Sequence, residues 1–379
     1  MGLESFLCSL IRCYSPSGRE EGVAQLVVEE MERLGYERVR RDKMGNVTGR
    51  ISGGRGPPIL FDGHMDVVDP GDYSAWRHEP FSAKTVHESI QGRGAVDMKG
   101  GLAALIYGCA QAEPSADVIV ACVVHEETYE GLALLEILKG LGEYPRAVVL
   151  GEPTDLKLAI GQRGRLVLRL VTSGRTSHAS MPELGENAID RMVPVLEGIM
   201  TRAATLPVHP GLGKGTMAVT SISALPGSGP VIPDRCQITL DRRLVPGEEK
   251  GTVLREMRSF FPETEVHIAS GELECYTGTK MPFEEFYPGW LLDPGHALVK
   301  AGLKALCGPL GSHPEVSVWR FSTDGVASAG ALGIPTIGFG PGDPSLAHQP
   351  NESISVRDVK TAATGFKSLA ELVFESERE

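Results

Sequence analysis

Seven consecutive apolar residues, Val118 to Val124, run into His125 and then two adjacent glutamates, Glu126 and Glu127. A run so short and so uniformly apolar reads as a strand buried on both faces, as happens where helices cover both sides of a parallel sheet. Three more runs share the form: Ile59 to Phe61, Ala147 to Leu150 and Thr336 to Phe339. Helical patterns at Gly101 to Ala110 and Val356 to Phe374 alternate with them. Near the start, Ser17 with Glu20 three residues on predicts a capping box. It opens a helix whose apolar face is Val23, Leu26, Val27, Met31 and Leu34 and whose stop is Gly35. The alternation predicts an α/β domain with a mixed, largely parallel sheet and helices on both faces.

The middle third has another texture. "RLVLRLVT" alternates; "ENAIDRMVPVLEGIM" is helical around Pro194; "TMAVTSIS" and "CQITLDRRL" read as strands; "EEKGTVLREMRSFF" is helical; "EVHIAS" closes as a strand. That order, β-α-β-β-α-β, is the ferredoxin-like pattern, a two-layer module complete in itself. The expected organisation is therefore an inserted domain over 162–278, with 1–161 and 279–379 pairing into one outer domain.

In doubly wound sheets, ligands bind beyond the carboxyl ends of the strands, and here each apolar run is followed by titratable groups. "DGHMD" follows the first, "HEE" the second and "GEPT" the third, while the turn "GPGDPS" after the fourth leads to His348; "GRGAVDMKGG" places an aspartate between glycine-rich turns. One edge thus collects His64, Asp66, Asp97, Glu126, Glu127, Glu152 and His348. Alone, an isolated "HMD" is an ordinary loop; the joint placement is what signifies. Five carboxylates in one cleft cannot all stay ionised without positive charge among them, and Lys99 alone cannot balance them. Divalent metal supplies that charge. Two imidazoles with several carboxylates and no thiolate match zinc, with cobalt or manganese also compatible. Two ions fit better than one: with one glutamate reserved for proton transfer and one aspartate to orient a histidine, five candidate ligands remain, against the three of a single catalytic zinc. Successive side chains on extended backbone point to opposite sides, so Glu126 and Glu127 are expected to meet different partners.

Composition removes other classes. A net charge of -12 disfavours nucleic acid and anionic membrane surfaces. Seven scattered cysteines without a C-x-x-C fit a reducing compartment, and the N-terminal stretch lacks the basic residues of a signal peptide, so a cytoplasmic setting is expected. No segment is long and apolar enough to span a membrane. "GRGAVD" lacks the third glycine of a dinucleotide fingerprint, and "GLGKGT" separates the lysine and threonine that a phosphate loop keeps adjacent.

With these residues in hand, the sequence resembles the dinuclear zinc amidohydrolase and peptidase family of acetylornithine deacetylase, succinyl-diaminopimelate desuccinylase, aminoacylase and carboxypeptidase G. "GHMD", "GRGAVDMKGG", "HEE", "GEPT", "SHASMPELGENAI", "IPDRCQITLDRRLVPGE" and "AHQPNE" stand in the family's order along nearly the whole chain. "WRHEPF", "GQRGR", "CYTG", "WRFSTDG" and "IPTIGFGPGD" look most like its selenium-metabolism-linked hydrolase branch. The resemblance implies that His64, Asp97 and Glu152 hold one ion and that Asp97, Glu127 and His348 hold the other, with Asp97 bridging. It further implies that Asp66 orients His64, that Glu126 is the general base, and that a cis peptide follows Asp97. From the inserted module, His178 would donate to the oxyanion, in many relatives from a second subunit, and Arg243 would bind a substrate carboxylate. These features imply a homodimer through the inserted domain. The expected activity is hydrolysis of the amide bond of small N-acyl amino acids. The alternatives are an aminopeptidase, carboxypeptidase or dipeptidase of the same family, or a catalytically silent small-molecule binding protein. Two positions depart from the family: Pro230 stands where many relatives carry a substrate-binding asparagine, and His125 where aspartate is common.

Overall fold

The computed structural model describes residues 2–54, 56–227 and 229–372. They form two compact units, 1–161 with 272–281 and 291–379, and 162–271 with 282–290.

In the first unit the four apolar runs become four mutually parallel strands. Val118–Val123 pairs with Ile59–His64, which pairs on its other side with Ala147–Leu150, and that strand pairs with Thr336–Gly338. Every residue of Ile59–His64 and of Ala147–Leu150 is buried, so the sheet is covered on both faces there. Antiparallel strands extend it: Val47–Ile51 and then Glu37–Arg41 beyond Val118–Val123, and Leu158–Gln162 beyond Thr336–Gly338. The helix Val356–Ala370 packs Phe366 edge-on against Phe61 and Phe339. Its predicted last residues, Val373 and Phe374, lie outside the described residues. The helix Gly100–Ala110 starts against backbone rather than side chains: a Cβ on Gly101 would stand 2.0 Å from the Gly151 carbonyl oxygen. Only glycine permits that approach, and it brings the Asp97 loop alongside Glu152.

The expected capping box does not form. The helix Glu21–Arg33 has no side-chain cap; the Ser17 hydroxyl donates instead to Asp66 Oδ2 at 2.6 Å, and Glu20 Oε1 accepts from the N–H groups of Gly18 and His125 at 2.9 and 3.2 Å. A buried carboxylate holds the Ser17 hydroxyl and the backbone N–H groups of Gly18 and His125 hold the Glu20 side chain, so neither is left for the helix end.

The second unit holds a five-stranded antiparallel sheet: Thr216–Leu225, Arg235–Leu244, Gly164–Ser173 and Glu265–Ile268 lie in that order, the ferredoxin-like arrangement, and Phe286–Tyr287 also pairs with Gly164–Ser173. Helices Ala188–Ala203 and Lys250–Phe260 close its core, in which Leu166, Leu168 and Leu170 meet Met192, Ile199, Leu240 and Met257. The chain's return differs from the single step at residue 279 read from the sequence. The stretch 272–281 already belongs to the first unit, where Tyr276 Oη donates to the Gly45 carbonyl at 3.0 Å and Thr277 and Thr279 both donate to the Lys43 carbonyl at 2.6 Å. Residues 282–290 then rejoin the second unit.

Candidate metal centre

His64 ends the buried strand Ile59–His64, and its ring is fixed from one side. Nδ1 faces the Asp66 backbone carbonyl at 2.9 Å, with the Asp66 carboxylate at 3.5 Å. A proton on Nδ1 satisfies that carbonyl and leaves Nε2 with its lone pair directed at Asp97 Oδ1 (3.0 Å) and toward Glu152 Oε1 (3.8 Å). The Asp66 carboxylate has other partners: Oδ1 accepts from the Glu126 N–H at 3.2 Å, and Oδ2 from the Glu127 N–H at 3.1 Å and from Ser17.

Asp97 precedes a cis peptide bond to Met98. Its two oxygens face two imidazoles, Oδ1 toward His64 and Oδ2 toward His348 Nε2 at 3.3 Å. His348, on a loop with φ of 62°, also reaches Glu127 Oε2 at 3.0 Å.

Glu126 and Glu127 do face different partners, but strand alternation is not the cause. The strand stops at Val123, and His125 takes a left-handed φ of 60°, opening a turn closed by the Tyr129 N–H on the His125 carbonyl at 2.9 Å. Glu127 joins His64 and Asp97 in one group of donors lying within 4.8 Å of one another, while Glu126 joins His64 and Glu152 in another. Glu126 Oε1 is buried with no hydrogen-bond partner among the described residues.

The electrostatics are those of a cleft short of positive charge. Burial pushes the Glu126 and Glu152 carboxyls well above the usual carboxylate range, with Glu152 adding to Glu126 and Asp97 adding to Glu152. Burial and the Asp97 charge raise Glu127 to about 7. The Asp97 and Glu127 carboxylates hold His348 up to about 10. Burial opposes charge on His64, yet Asp66 and Asp97 outweigh it and raise the ring as well. Two imidazoles and four carboxylates converging on a few ångströms, one oxygen with no donor, form a hard, nitrogen- and oxygen-rich set that fits divalent cations such as zinc.

A family model described as peptidase family M20/M25/M40 matches residues 60–372. The chain belongs to that family. This M20-family chain, with its imidazole and carboxylate cluster, is a metal-dependent hydrolase. It is 36% identical to the uncharacterized protein YgeY of Escherichia coli K12 over 96% of this chain and 92% of that one. It is 27% identical to the succinyl-diaminopimelate desuccinylase of Nitrosococcus oceani over 96% of each. Its fold matches the M20 family metallo-carboxypeptidase Sso-CP2 of Sulfolobus solfataricus with a TM-score of 0.75 at 18% identity, covering 98% of this chain and 99% of that one.

The other two residues singled out in the sequence of this M20-family chain, His178 and Arg243, lie in the second unit. His178 is exposed; its Nδ1 accepts from the Ser180 N–H at 3.1 Å and faces the Ser180 hydroxyl at 2.7 Å. Pro230, lacking a side-chain donor, holds this loop through its carbonyl, which accepts from the Ala179 N–H at 2.8 Å. Arg243 donates Nε to Asp241 Oδ1 at 2.9 Å, and Asp241 also accepts from Arg165 at 2.9 Å.

Sequence reasoning missed five buried charged residues around the centre: Glu20, Asp62, Asp324 and the Arg93–Glu352 pair. Asp62 and Asp324 share a hydrogen bond; burial and the Asp324 charge raise Asp62 well above the usual range, and burial raises Asp324 to about 6. The available signal was a charged residue inside an otherwise apolar strand, "ILFDGH", and a second acid in "WRFSTDG".

Proposed function

We propose that this hydrolase cleaves the amide bond of small N-acyl amino acids with two divalent ions, zinc foremost, cobalt or manganese as alternatives. His64, Asp97 and Glu152 would hold one ion, and Asp97, Glu127 and His348 the other. The observation carrying this reading is the two-sided use of Asp97, one oxygen 3.0 Å from His64 Nε2 and the other 3.3 Å from His348 Nε2. A carboxylate that turns one oxygen to each of two imidazoles is disposed as a bridging ligand would be. Bound there, divalent ions lower the pKa of water and polarise the scissile carbonyl.

Glu126 does the proton transfer. It is buried, set apart from the Asp97–Glu127–His348 group, and presents an oxygen on which no described residue places a donor. That oxygen accepts the proton of the attacking water and returns it to the leaving amine. Asp66 keeps His64 in the tautomer that offers Nε2, and through the two backbone N–H groups it fixes where Glu126 and Glu127 start.

The second unit supplies His178 to the oxyanion and Arg243 to the substrate carboxylate, the latter through terminal nitrogens that have no partner among the described residues. A homodimer through this unit is supported by its ten-residue edge strand Thr216–Leu225, which exposes Val219, Ile222 and Leu225. A cytoplasmic setting fits seven free cysteines, five of them buried. No helix among the described residues is long and apolar enough to cross a membrane.

The test is metal analysis followed by release assays on N-acetyl, N-succinyl, N-formyl and N-carbamoyl amino acids and on dipeptides, with and without chelator. Release of amino acid from an N-acyl substrate, abolished by chelation and restored by zinc, is expected. Turnover confined to dipeptides would replace the deacylase reading with a peptidase, and activity surviving stringent chelation would overturn both.

A further inference from the structure

The ligands Asp97 and His348 sit on separate loops, and neither loop is part of the sheet. Both are tied to one buried ion pair. Glu352 is 1% exposed and accepts with both oxygens: Oε1 from the N–H groups of Val96 and Asp97 at 2.7 and 3.0 Å, Oε2 from the Gly94 N–H at 3.1 Å and from Arg93 Nη1 at 2.8 Å. The Glu352 backbone carbonyl accepts from the Gly92 N–H at 2.9 Å. Arg93 then reaches the other loop, donating Nη2 to the His348 carbonyl and Nη1 to the Gln349 carbonyl, each at 3.3 Å. Its guanidinium lies 5.1 Å from the centre of the Trp76 ring. Asn351 anchors that tryptophan's turn, accepting from the Arg77 N–H at 2.7 Å and donating to the Ala75 carbonyl at 3.1 Å.

We infer that Glu352 and Arg93 are positioning residues that set the separation of Asp97 and His348, so that the ion held by Asp97, Glu127 and His348 depends on this pair while the ion held by His64, Asp97 and Glu152 depends on it far less. The asymmetry follows from the scaffold. His64 ends a wholly buried strand, and Glu152 follows another such strand by two residues. The His348 side chain is 51% exposed, and its backbone is in the left-handed region. Lysine at 93 would retain the charge but not the fork that spans two loops.

The inference rests on the two-ion reading above, and the experiment separates the two. Wild type, Glu352→Gln and Arg93→Lys are stripped of metal, titrated with zinc by calorimetry, and loaded with cobalt for visible spectroscopy; thermal unfolding of each stripped protein is recorded. Wild type binding fewer than two ions defeats the two-ion reading itself. With two in wild type, the expected result is one ion bound as before and the second weakened about 10- to 100-fold, as loss of a residue supporting a ligand does. One component of the cobalt spectrum should change, and the loss in Arg93→Lys should be the smaller. Two unchanged ions in both variants overturn the inference. Equal weakening of both ions together with a lower melting temperature of the stripped protein also overturns it, since that is a general loss of structure. Should Glu352→Gln not fold, Arg93→Lys carries the same readouts.

Discussion

Replacing Glu20 with glutamine should make the metal-free protein's stability less dependent on pH, by an amount the structure sets. Glu20 is fully buried, with Oε1 on two backbone N–H groups and Oε2 without a partner among the described residues. Burial and the nearby Asp66 charge raise its carboxyl from an ordinary 4.5 to about 7. A group whose folded pKa lies above its unfolded value contributes its full stability below the unfolded pKa and loses it as pH rises through the folded one. For Glu20 that window runs from 4.5 to about 7. At about 1.36 kcal/mol per pH unit, wild type loses about 2 to 3 kcal/mol between roughly pH 5 and 8.5 that the variant keeps. The glutamine oxygen can still accept both N–H bonds, and pH-independent costs of seating its amide cancel in the comparison. Urea unfolding of both metal-stripped proteins across this range measures the difference. A constant gap between the two curves would mean that Glu20 ionises as freely folded as unfolded, and the account of burial around the 125–127 turn would be wrong.

Other outcomes follow from the proposed site. Glu126→Gln should bind its full complement of metal yet lose on the order of a hundredfold or more in kcat; near-normal turnover by steady-state assay would remove Glu126 as the base. Mixing chains carrying His178→Ala with chains carrying Glu126→Gln should recover activity in the heterodimer if His178 serves a neighbouring subunit, and purified heterodimer without activity would place it in its own chain's site.

Much of the fold was legible because buried parallel strands and the ferredoxin-like module leave periodic marks. The four apolar runs from Ile59, Val118, Ala147 and Thr336 are the four parallel strands, and residues following them form the donor cluster. What failed was local. Ser17 and Glu20 have the spacing of a capping box, but spacing does not reveal that buried acceptors and donors from distant segments, Asp66 and His125, compete for them. Alternation forecast the divergence of Glu126 and Glu127, whereas a left-handed His125 produces it, a conformation that histidine does not advertise. The return of 272–281 to the first unit depends on hydroxyls meeting the Lys43 carbonyl, a contact across more than two hundred residues.

Asp66 has one further implication. Its side chain has two oxygens and serves a backbone amide with each, plus a serine hydroxyl, while its own carbonyl steadies His64. An asparagine there would turn an NH2 toward at least one group that is itself a donor, so no isosteric neutral residue can stand in. The orientation of an imidazole on one strand and the pose of two glutamates after another therefore share a single point of failure, and the chain cannot drift at position 66 without disturbing both at once.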